Sequence, residues 1–308
     1  MDIKFTLIIP CYNEQEVLPI AYDRFEKAMD KLGEQYEMIF INDGSEDNTL
    51  AILKQYAKTN EYVKVISFSR NFGHQEAVTA GMRAASGEAL IIIDADLQDP
   101  PELIGEMVEK WEEGFDIVFG QREKREGEAA FKRISAWGYY RFLRVMGVKE
   151  IPPDAGDFRL IDRRVSDIIN QMPERNRFLR GMSAWAGFKQ TSAKFVREQR
   201  AAGETKYTLK RMFKLAGDGI TSFTNRPLKI AIFFGMAAGT LSFVYLLVSI
   251  ILTSLKIMSI THVIFSLVFI MLSGVFVAVG ILGSYIGRIL DEVRGRPAYI
   301  IREKINLK

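Results

Sequence analysis

Residues Leu90–Glu102 read LIIIDADLQDPPE, and the interpretation of the chain begins with them. The first four residues of this stretch are apolar and run directly into two acids, and a continuous apolar run ended by a turn signal is typical of a strand buried on both faces. The acids therefore lie at the strand's carboxyl end, where open α/β sheets bind their ligands. Because residues i and i+2 of an extended chain point to the same side, Asp94 and Asp96 can converge on one point.

The paired acids favour a divalent cation. Two carboxylates this close repel each other unless a positive charge lies between them, and oxygen ligands that leave room for substrate phosphates suit Mg²⁺ or Mn²⁺. The alternative is a pair of solvated turn acids, since Asp is common where strands end and Asp-x-Asp alone is weak evidence. The apolar strand before the pair and the sequence QDPPE at residues 98–102 favour the metal site.

Strand-like and helix-like segments alternate along the first part of the chain. The predicted strands lie at residues 5–10, 36–41, 63–68, 90–93 and 116–120, with helical patterns between them. This alternation predicts an α/β fold with a mostly parallel sheet and helices on both faces.

The segment DADLQDPPE, residues 94–102, resembles the metal-binding signature of family 2 glycosyltransferases. It is most similar to the branch that makes dolichol-phosphate mannose or bactoprenyl-phosphate glucose, over roughly residues 4–225. The resemblance implies a nucleotide-diphospho-sugar transferase A-type fold. It also implies inverting, metal-dependent transfer of one sugar from a nucleotide sugar, with UDP-glucose or a related UDP-sugar expected, to polyprenyl phosphate. The family further suggests a homotetramer.

Two other predicted strand ends carry polar residues, Tyr12-Asn13-Glu14 and Asp43-Gly44-Ser45. In α/β sheets such ends gather at one rim, although each alone could be ordinary turn chemistry. The resemblance assigns nucleoside contacts to four residues: Pro10, Tyr12, Glu14 and Asp43. It assigns the metal on the diphosphate to three: Asp94, Asp96 and Gln98. Asp96 also counts among the expected catalytic residues, and Asn42 replaces the first of two acids that the family often has before Gly44.

The acceptor side is expected to be basic. Arg122 follows the fifth strand, Arg133 begins the next helical pattern, and Arg200 and Lys206 lie in REQRAAGETKY, residues 197–207. This last stretch resembles a family segment that precedes the membrane. Guanidinium forks match phosphate oxygens, so the resemblance implies that these residues hold the acceptor phosphate. A solvated surface charge is the alternative for each of them.

Asp157 lies where the family places its candidate base, and we count it as a catalytic candidate. A sugar hydroxyl acceptor would need a base, whereas a lipid phosphate, whose second pKa is about 6, is largely dianionic at neutral pH. Asp157 could therefore orient the sugar or a phosphate-binding arginine instead. His74 begins a helical pattern and is interpreted as structural or close to the nucleotide.

Two apolar runs predict a membrane hairpin. Residues 230–255 and 263–287 contain no Asp, Glu, Lys, Arg or His, and each exceeds the roughly 20 residues that span a bilayer. Basic residues flank the pair on both sides, which places both ends in the cytoplasm. The predicted organisation is a glycosyltransferase domain at 1–206, an amphipathic juxtamembrane helix at 207–225, the hairpin at 226–290 and a cytoplasmic tail at 291–308. The expected location is the inner or plasma membrane.

Composition narrows the functional classes. The formal net charge of +3 gives no strong field for nucleic acid, and the single cysteine, Cys11, excludes an internal disulfide. No Gly-x-x-x-x-Gly-Lys loop is present, which argues against an ATPase. Two alternatives stay open: a glycosyltransferase acting on another lipid or a polysaccharide, and a catalytically inactive membrane scaffold.

Overall fold

The computed structural model of the chain describes residues 3–122, 155–174, 177–195, 240 and 260–307. The described residues fall into two compact units. Residues 3–122, 155–174, 177–195 and 297–307 belong to the first unit, and residues 240 and 260–296 belong to the second.

In the described part of the chain, the first unit is built on an eight-stranded sheet. Its strands are β1 Phe5–Cys11, β2 Tyr36–Asn42, β3 Val63–Phe68, β4 Ala89–Ile92, β5 Ile117–Arg122, β6 Ala155–Asp162, β7 Gln190–Phe195 and β8 Ile301–Ile305. Their order across the sheet is β7-β5-β6-β4-β1-β2-β3-β8. Pairing is parallel for β1 with β2 and β4, for β2 with β3, and for β5 with β7. The predicted α/β fold with a mostly parallel sheet is confirmed, but β6 runs antiparallel between β4 and β5.

Helices cover both faces of this sheet. They are α1 Leu18–Asp30, α2 Thr49–Thr59, α3 His74–Ala84, α4 Ile104–Glu112 after a 3₁₀ turn at Pro101–Leu103, α5 Arg163–Gln171 and α6 Leu179–Trp185. Alternate residues of β1 point to opposite faces. Phe5 and Leu7 pack in one core with the apolar residues of α1, α2 and α4, whereas a Cβ on Gly81 of α3 would meet Ile8 and Ile41 from the other face.

The C-terminal residues return to the sheet. β8 lies antiparallel along the β3 edge, within residues 291–308, which the sequence predicts to be a tail. Tyr299 stacks on Phe68 with ring centroids 5.0 Å apart, and the Asn306 side-chain amide donates to the carbonyls of Ala57 (2.7 Å) and Val63 (2.9 Å). This strand covers an edge that would otherwise present unpaired backbone groups.

The second predicted apolar run lies in a helix, α7 Ile260–Val293. Within the described residues, no helix was found with both the length and the apolar character needed to cross a membrane. The predicted hairpin is therefore not supported by the described part of the chain. The first apolar run lies outside the described residues, apart from residue 240. The predicted helix at 207–225 also lies outside them.

Two glycines with similar backbone angles allow a matched test of the packing at the β2 end. Gly44 and Gly33 have φ of +66° and +68°, but a Cβ on Gly44 would lie 2.2 Å from the carbonyl carbon of Arg70, whereas nothing lies within 4 Å of one on Gly33. Gly33→Ala should lower the free energy of unfolding by only about 1–2 kcal/mol, the cost of placing a residue with a Cβ in the left-handed region. Gly44→Ala should lower the free energy of unfolding by clearly more, because backbone must move. Urea unfolding of the purified variants measures both, and equal losses would contradict the packing.

Candidate active site

The loops after β1 and β2 are joined by hydrogen bonds. The Asn13 backbone N–H donates to Ser45 Oγ (3.0 Å), and the Asn13 side-chain oxygen accepts from the Glu46 N–H (2.8 Å). Asn13 itself has φ of +56°, which is uncommon for a residue other than glycine. Strained backbone held by its surroundings is common at functional sites. Two of the three predicted strand ends therefore meet, as expected.

Asp43 ties the β2 end to the loop after β3. Its carboxylate is buried and accepts from the backbone N–H groups of Phe72 (2.7 Å) and Gly73 (3.0 Å) and from the Asn71 side-chain amide (2.9 Å). Burial raises the pKa of Asp43, and the two backbone donors partly offset that rise. The Asp43 carboxylate thus holds the loop at this edge of the sheet in place, and its contact with the nucleoside stays a prediction.

The loop after β3 leads into α3, whose first residue contacts the β4 end. His74 Nε2 lies 2.7 Å from Asp94 Oδ1, and each side chain is 37% exposed. Burial lowers the pKa of His74, but the Asp94 carboxylate outweighs this effect and raises it to about 9. A charge-assisted hydrogen bond therefore links α3 to the first acid of the predicted metal site.

Three oxygen-bearing side chains follow β4 at alternate positions. Asp94, Asp96 and Gln98 are partly exposed, whereas Ala95 and Leu97 between them are buried. Leu97 has φ of +57°, an unusual angle for a branched residue, and its burial holds the turn. The two acids and the amide therefore alternate with core residues, as the sequence predicted for a pair at i and i+2.

The donor set at this turn fits a hard divalent cation. Gln98 Oε1 is buried and has no hydrogen-bond partner among the described residues, while Asp96 Oδ1 accepts from the Gln98 backbone N–H (3.1 Å). A buried acceptor without a donor is rare and points to a missing partner such as an ion. No group of three or more acidic, histidine or cysteine side chains suited to a metal occurs in the described ranges. Two carboxylates and one amide oxygen match Mg²⁺ or Mn²⁺, which keep further positions for phosphate or water.

Asp157 lies in β6, and both of its carboxylate oxygens accept hydrogen bonds from an arginine. Arg180 of α6 donates Nε to Oδ1 (2.7 Å) and a terminal nitrogen to Oδ2 (2.8 Å), and the buried Arg159 donates to the Asp157 backbone carbonyl (3.4 Å). Burial favours the neutral acid, but Arg180, with His74 and Arg159, holds the pKa of Asp157 well below its usual range. A carboxylate with so low a pKa is a poor proton acceptor, and the geometry favours the orienting role.

Some of the remaining predicted residues lie in the described part of the chain, and others lie outside it. Pro10 is buried in β1, and Tyr12 and Glu14 are partly buried just beyond it. The backbone of Arg122 ends β5, where it pairs with Phe195 of β7. The last three predicted residues lie outside the described residues: Arg133, Arg200 and Lys206.

Sequence reasoning missed two contacts. It left His74 without a partner, and it did not single out Arg180 at all. His74 had one available signal, its position directly after a Gly-containing turn at the start of a helix. Arg180 had none, because its partner Asp157 lies 23 residues away on another element.

A family model described as glycosyl transferase family 2 matches residues 6–169. The chain belongs to this family. It is a glycosyltransferase, and the site described above lies within the matched residues apart from α6.

Relatives match along the whole chain. An uncharacterized glycosyltransferase of Bacillus subtilis (strain 168), YkcC, is 46% identical over 99% of this chain and 95% of its own length. A bactoprenol glucosyl transferase from the SfII prophage of Shigella flexneri is 36% identical over 98% of each chain. Among solved structures, glucosyl-3-phosphoglycerate synthase from Mycobacterium tuberculosis with Mn²⁺, UDP-glucose and phosphoglyceric acid gives a TM-score of 0.48 at 17% identity, covering 71% of this chain and 78% of that one.

The pairing of Asp157 with Arg180 predicts a pH-dependent loss of stability. Asp157→Asn removes a charge-assisted pair, so the free energy of unfolding at pH 7 should fall by about 1.5–3 kcal/mol. Because the folded pKa is depressed, the stabilisation is fully present above the unfolded pKa of about 4, declines as the pH falls below that value, and is lost only as the pH falls through the much lower folded pKa. The deficit of the variant should therefore shrink on acidification.

Asp167→Asn is the matched control, since Asp167 is 53% exposed and lies 3.9 Å from Arg163. Urea unfolding at pH 7 and pH 3.5 measures both variants. Equal effects of the two substitutions at pH 7 would contradict a structural role for the Asp157 pair.

Proposed function

We propose that this glycosyltransferase transfers one sugar from a nucleotide sugar to polyprenyl phosphate, with inversion, at the cytoplasmic face of a membrane. UDP-glucose or a related UDP-sugar is the expected donor. The observation that carries the donor half is the turn after β4, where Asp94, Asp96 and Gln98 stand at alternate positions and the buried Gln98 Oε1 has no hydrogen-bond partner among the described residues. The acceptor half is supported by the printed name of the Shigella flexneri relative, bactoprenol glucosyl transferase.

Asp94, Asp96 and Gln98 would hold Mg²⁺ or Mn²⁺ against the donor diphosphate. When bound, such a cation neutralises charge that develops on the departing nucleoside diphosphate. The chain's own part is to fix the three donors. Leu97 anchors the turn in the core, and the Gln98 N–H binds one oxygen of Asp96. Because these oxygen ligands are already fixed, they need not rearrange when the nucleotide sugar binds.

The nucleoside is expected at the neighbouring loops. Pro10, Tyr12 and Glu14 lie at the end of β1, and Asp43 shapes the adjoining turn through its three donors. Because β1 lies directly between β2 and β4 in the sheet, a nucleoside on these loops would extend its diphosphate towards the β4 turn. This arrangement supports the predicted division into a nucleoside half and a metal half.

A lipid phosphate acceptor accounts for the state of Asp157. A phosphate that is already largely dianionic attacks the anomeric carbon without losing a proton to the protein. The chain then needs no strong base, which agrees with a carboxylate tied to Arg180 by two hydrogen bonds. We infer that Asp157 orients this guanidinium towards the reacting groups. Direct attack in one displacement inverts the anomeric centre.

The surface of α7 supports the proposal that the transfer reaction takes place at a membrane. The helix exposes many large apolar side chains, a pattern that marks contact with lipid or another apolar partner. They are Val268, Met271, Leu272, Val275, Val279, Leu282, Ile286, Ile289, Leu290 and Val293. The hairpin, its cytoplasmic orientation and the homotetramer stay predictions.

The transfer assay tests the proposal directly. Purified protein is incubated with a panel of labelled nucleotide sugars, Mn²⁺ and undecaprenyl phosphate, and the lipid product is separated and counted. We expect one donor to label the lipid, and Asp96→Ala to abolish that label while the protein stays folded. Asp23→Ala is the control, since Asp23 is an exposed acid on α1. Unchanged turnover in Asp96→Ala at limiting Mn²⁺ would contradict the metal assignment, and label released only into water would contradict the acceptor.

The basic residues provide a test of the acceptor half alone. Loss of one charge-assisted phosphate contact, about 1.5–3 kcal/mol, corresponds to roughly 10- to 100-fold. Arg200→Ala and Arg122→Ala should therefore raise the apparent KM for polyprenyl phosphate, or lower kcat, by about this factor and leave UDP binding by calorimetry unchanged. Arg302→Ala removes an equal charge from β8 and should change neither quantity. A loss of UDP binding in proportion to activity would show that these arginines hold the donor instead.

A further inference from the structure

His74 makes the direct contact between α3 and the expected metal site. Its Nε2 lies 2.7 Å from Asp94 Oδ1. Both side chains are 37% exposed, so the contact lies at the surface of the rim and outside the apolar core. The ring's other nitrogen, Nδ1, lies 3.4 Å from the Gln75 side-chain amide. The imidazole is therefore held on both sides by polar groups.

The backbone that carries His74 is fixed independently of Asp94. The Asp43 carboxylate accepts from the N–H groups of Phe72 and Gly73, the two residues directly before it. Gly73 has φ of +124°, an angle that favours glycine and sets the direction in which the helix begins. The backbone that presents the imidazole to Asp94 is thus held by the β2 end.

The start of α3 is also tied to α6. The Gln75 side-chain oxygen accepts from the backbone N–H of Leu179 (3.0 Å), the residue before Arg180. The β2 end and α6 therefore both hold the segment that presents His74 to Asp94. The charged groups that act on His74 are Asp94 after β4, Asp157 of β6 and Arg180 of α6.

We propose that His74 is a positioning residue that fixes the Asp94 carboxylate for cation binding. Donation from Nε2 to Oδ1 stops the carboxylate from rotating and leaves Oδ2 as the oxygen that meets the cation. The inference rests on the proposed function, because it requires the metal site at Asp94, Asp96 and Gln98. Partners of metal ligands usually act in this way, and their loss commonly weakens metal affinity by 10- to 100-fold.

The test is Mn²⁺ binding to the full-length protein in the presence of UDP, followed by the electron paramagnetic resonance signal of free Mn²⁺. His74→Ala should weaken Mn²⁺ affinity by about 10- to 100-fold. His74→Gln places an amide nitrogen near the position of Nε2, so it should stay within about 3-fold of the native protein. His262→Ala, which removes the chain's other histidine, is the matched control and should have no effect.

The outcomes separate this inference from the proposed function. Native Mn²⁺ affinity in His74→Ala would overturn the positioning role while leaving the metal site intact. An equal loss in His74→Gln and His74→Ala, with both proteins folded, would also overturn it, because a retained donor should rescue. If His74→Ala does not fold, the Mn²⁺ affinity of His74→Gln tests the positioning role: a value within about 3-fold of the native protein supports it, and a larger loss overturns it. Absence of Mn²⁺ binding in the native protein, or native affinity in Asp96→Ala, would instead refute the metal site and the inference with it.

Discussion

The Asp43 carboxylate is the group on which the rim of the sheet depends. Asp43 directly follows β2, and its buried carboxylate accepts hydrogen bonds from the backbone of the loop that leads into α3. From there hydrogen bonds run outward in both directions. Ser45 holds the β1 loop at Asn13, and His74 holds the β4 turn at Asp94. Four strand ends that are distant in sequence are thereby held in one arrangement.

Strained backbone accompanies this arrangement. Asn13, Gly44, Gly73 and Leu97 all have positive φ, and each lies in a loop at the carboxyl end of a strand. Non-glycine residues at such angles persist only where the surroundings hold them. Here the hydrogen bonds of Asn13 and the burial of Leu97 provide that support. The result is a set of polar groups whose directions are fixed before any ligand arrives, as efficient electrostatic catalysis requires.

Local patterns in the sequence predicted the parallel core of the sheet and the acids at its rim. The apolar run before Asp94 and the turn residues after it are sufficient, because strand burial and strand ends are properties of a few neighbouring residues. The reversed direction of β6 was not predictable in this way, since it depends on pairing with β4 and β5. β8 reads IREKI, with three consecutive charged residues between two isoleucines. Its exposure alternates in the fold, but its sequence lacks the apolar-polar alternation that predicts a strand.

Contacts made through space explain the other omissions in the site. The Arg180 pair with Asp157 and the His74 pair with Asp94 join residues 23 and 20 positions apart. No spacing rule predicts such pairs. They nevertheless change the chemistry, because the first makes Asp157 a poor base and the second gives Asp94 a fixed partner. The sequence therefore suggested candidate residues, and the fold decides which contacts each of them makes.

Crystals grown with UDP and Mn²⁺, measured at the manganese absorption edge, show whether the turn after β4 holds a divalent cation on the donor diphosphate. We expect one anomalous peak bounded by Asp94, Asp96 and Gln98 Oε1, in contact with the diphosphate. A peak bound elsewhere on the protein, or bound UDP with no peak at this turn, would contradict it.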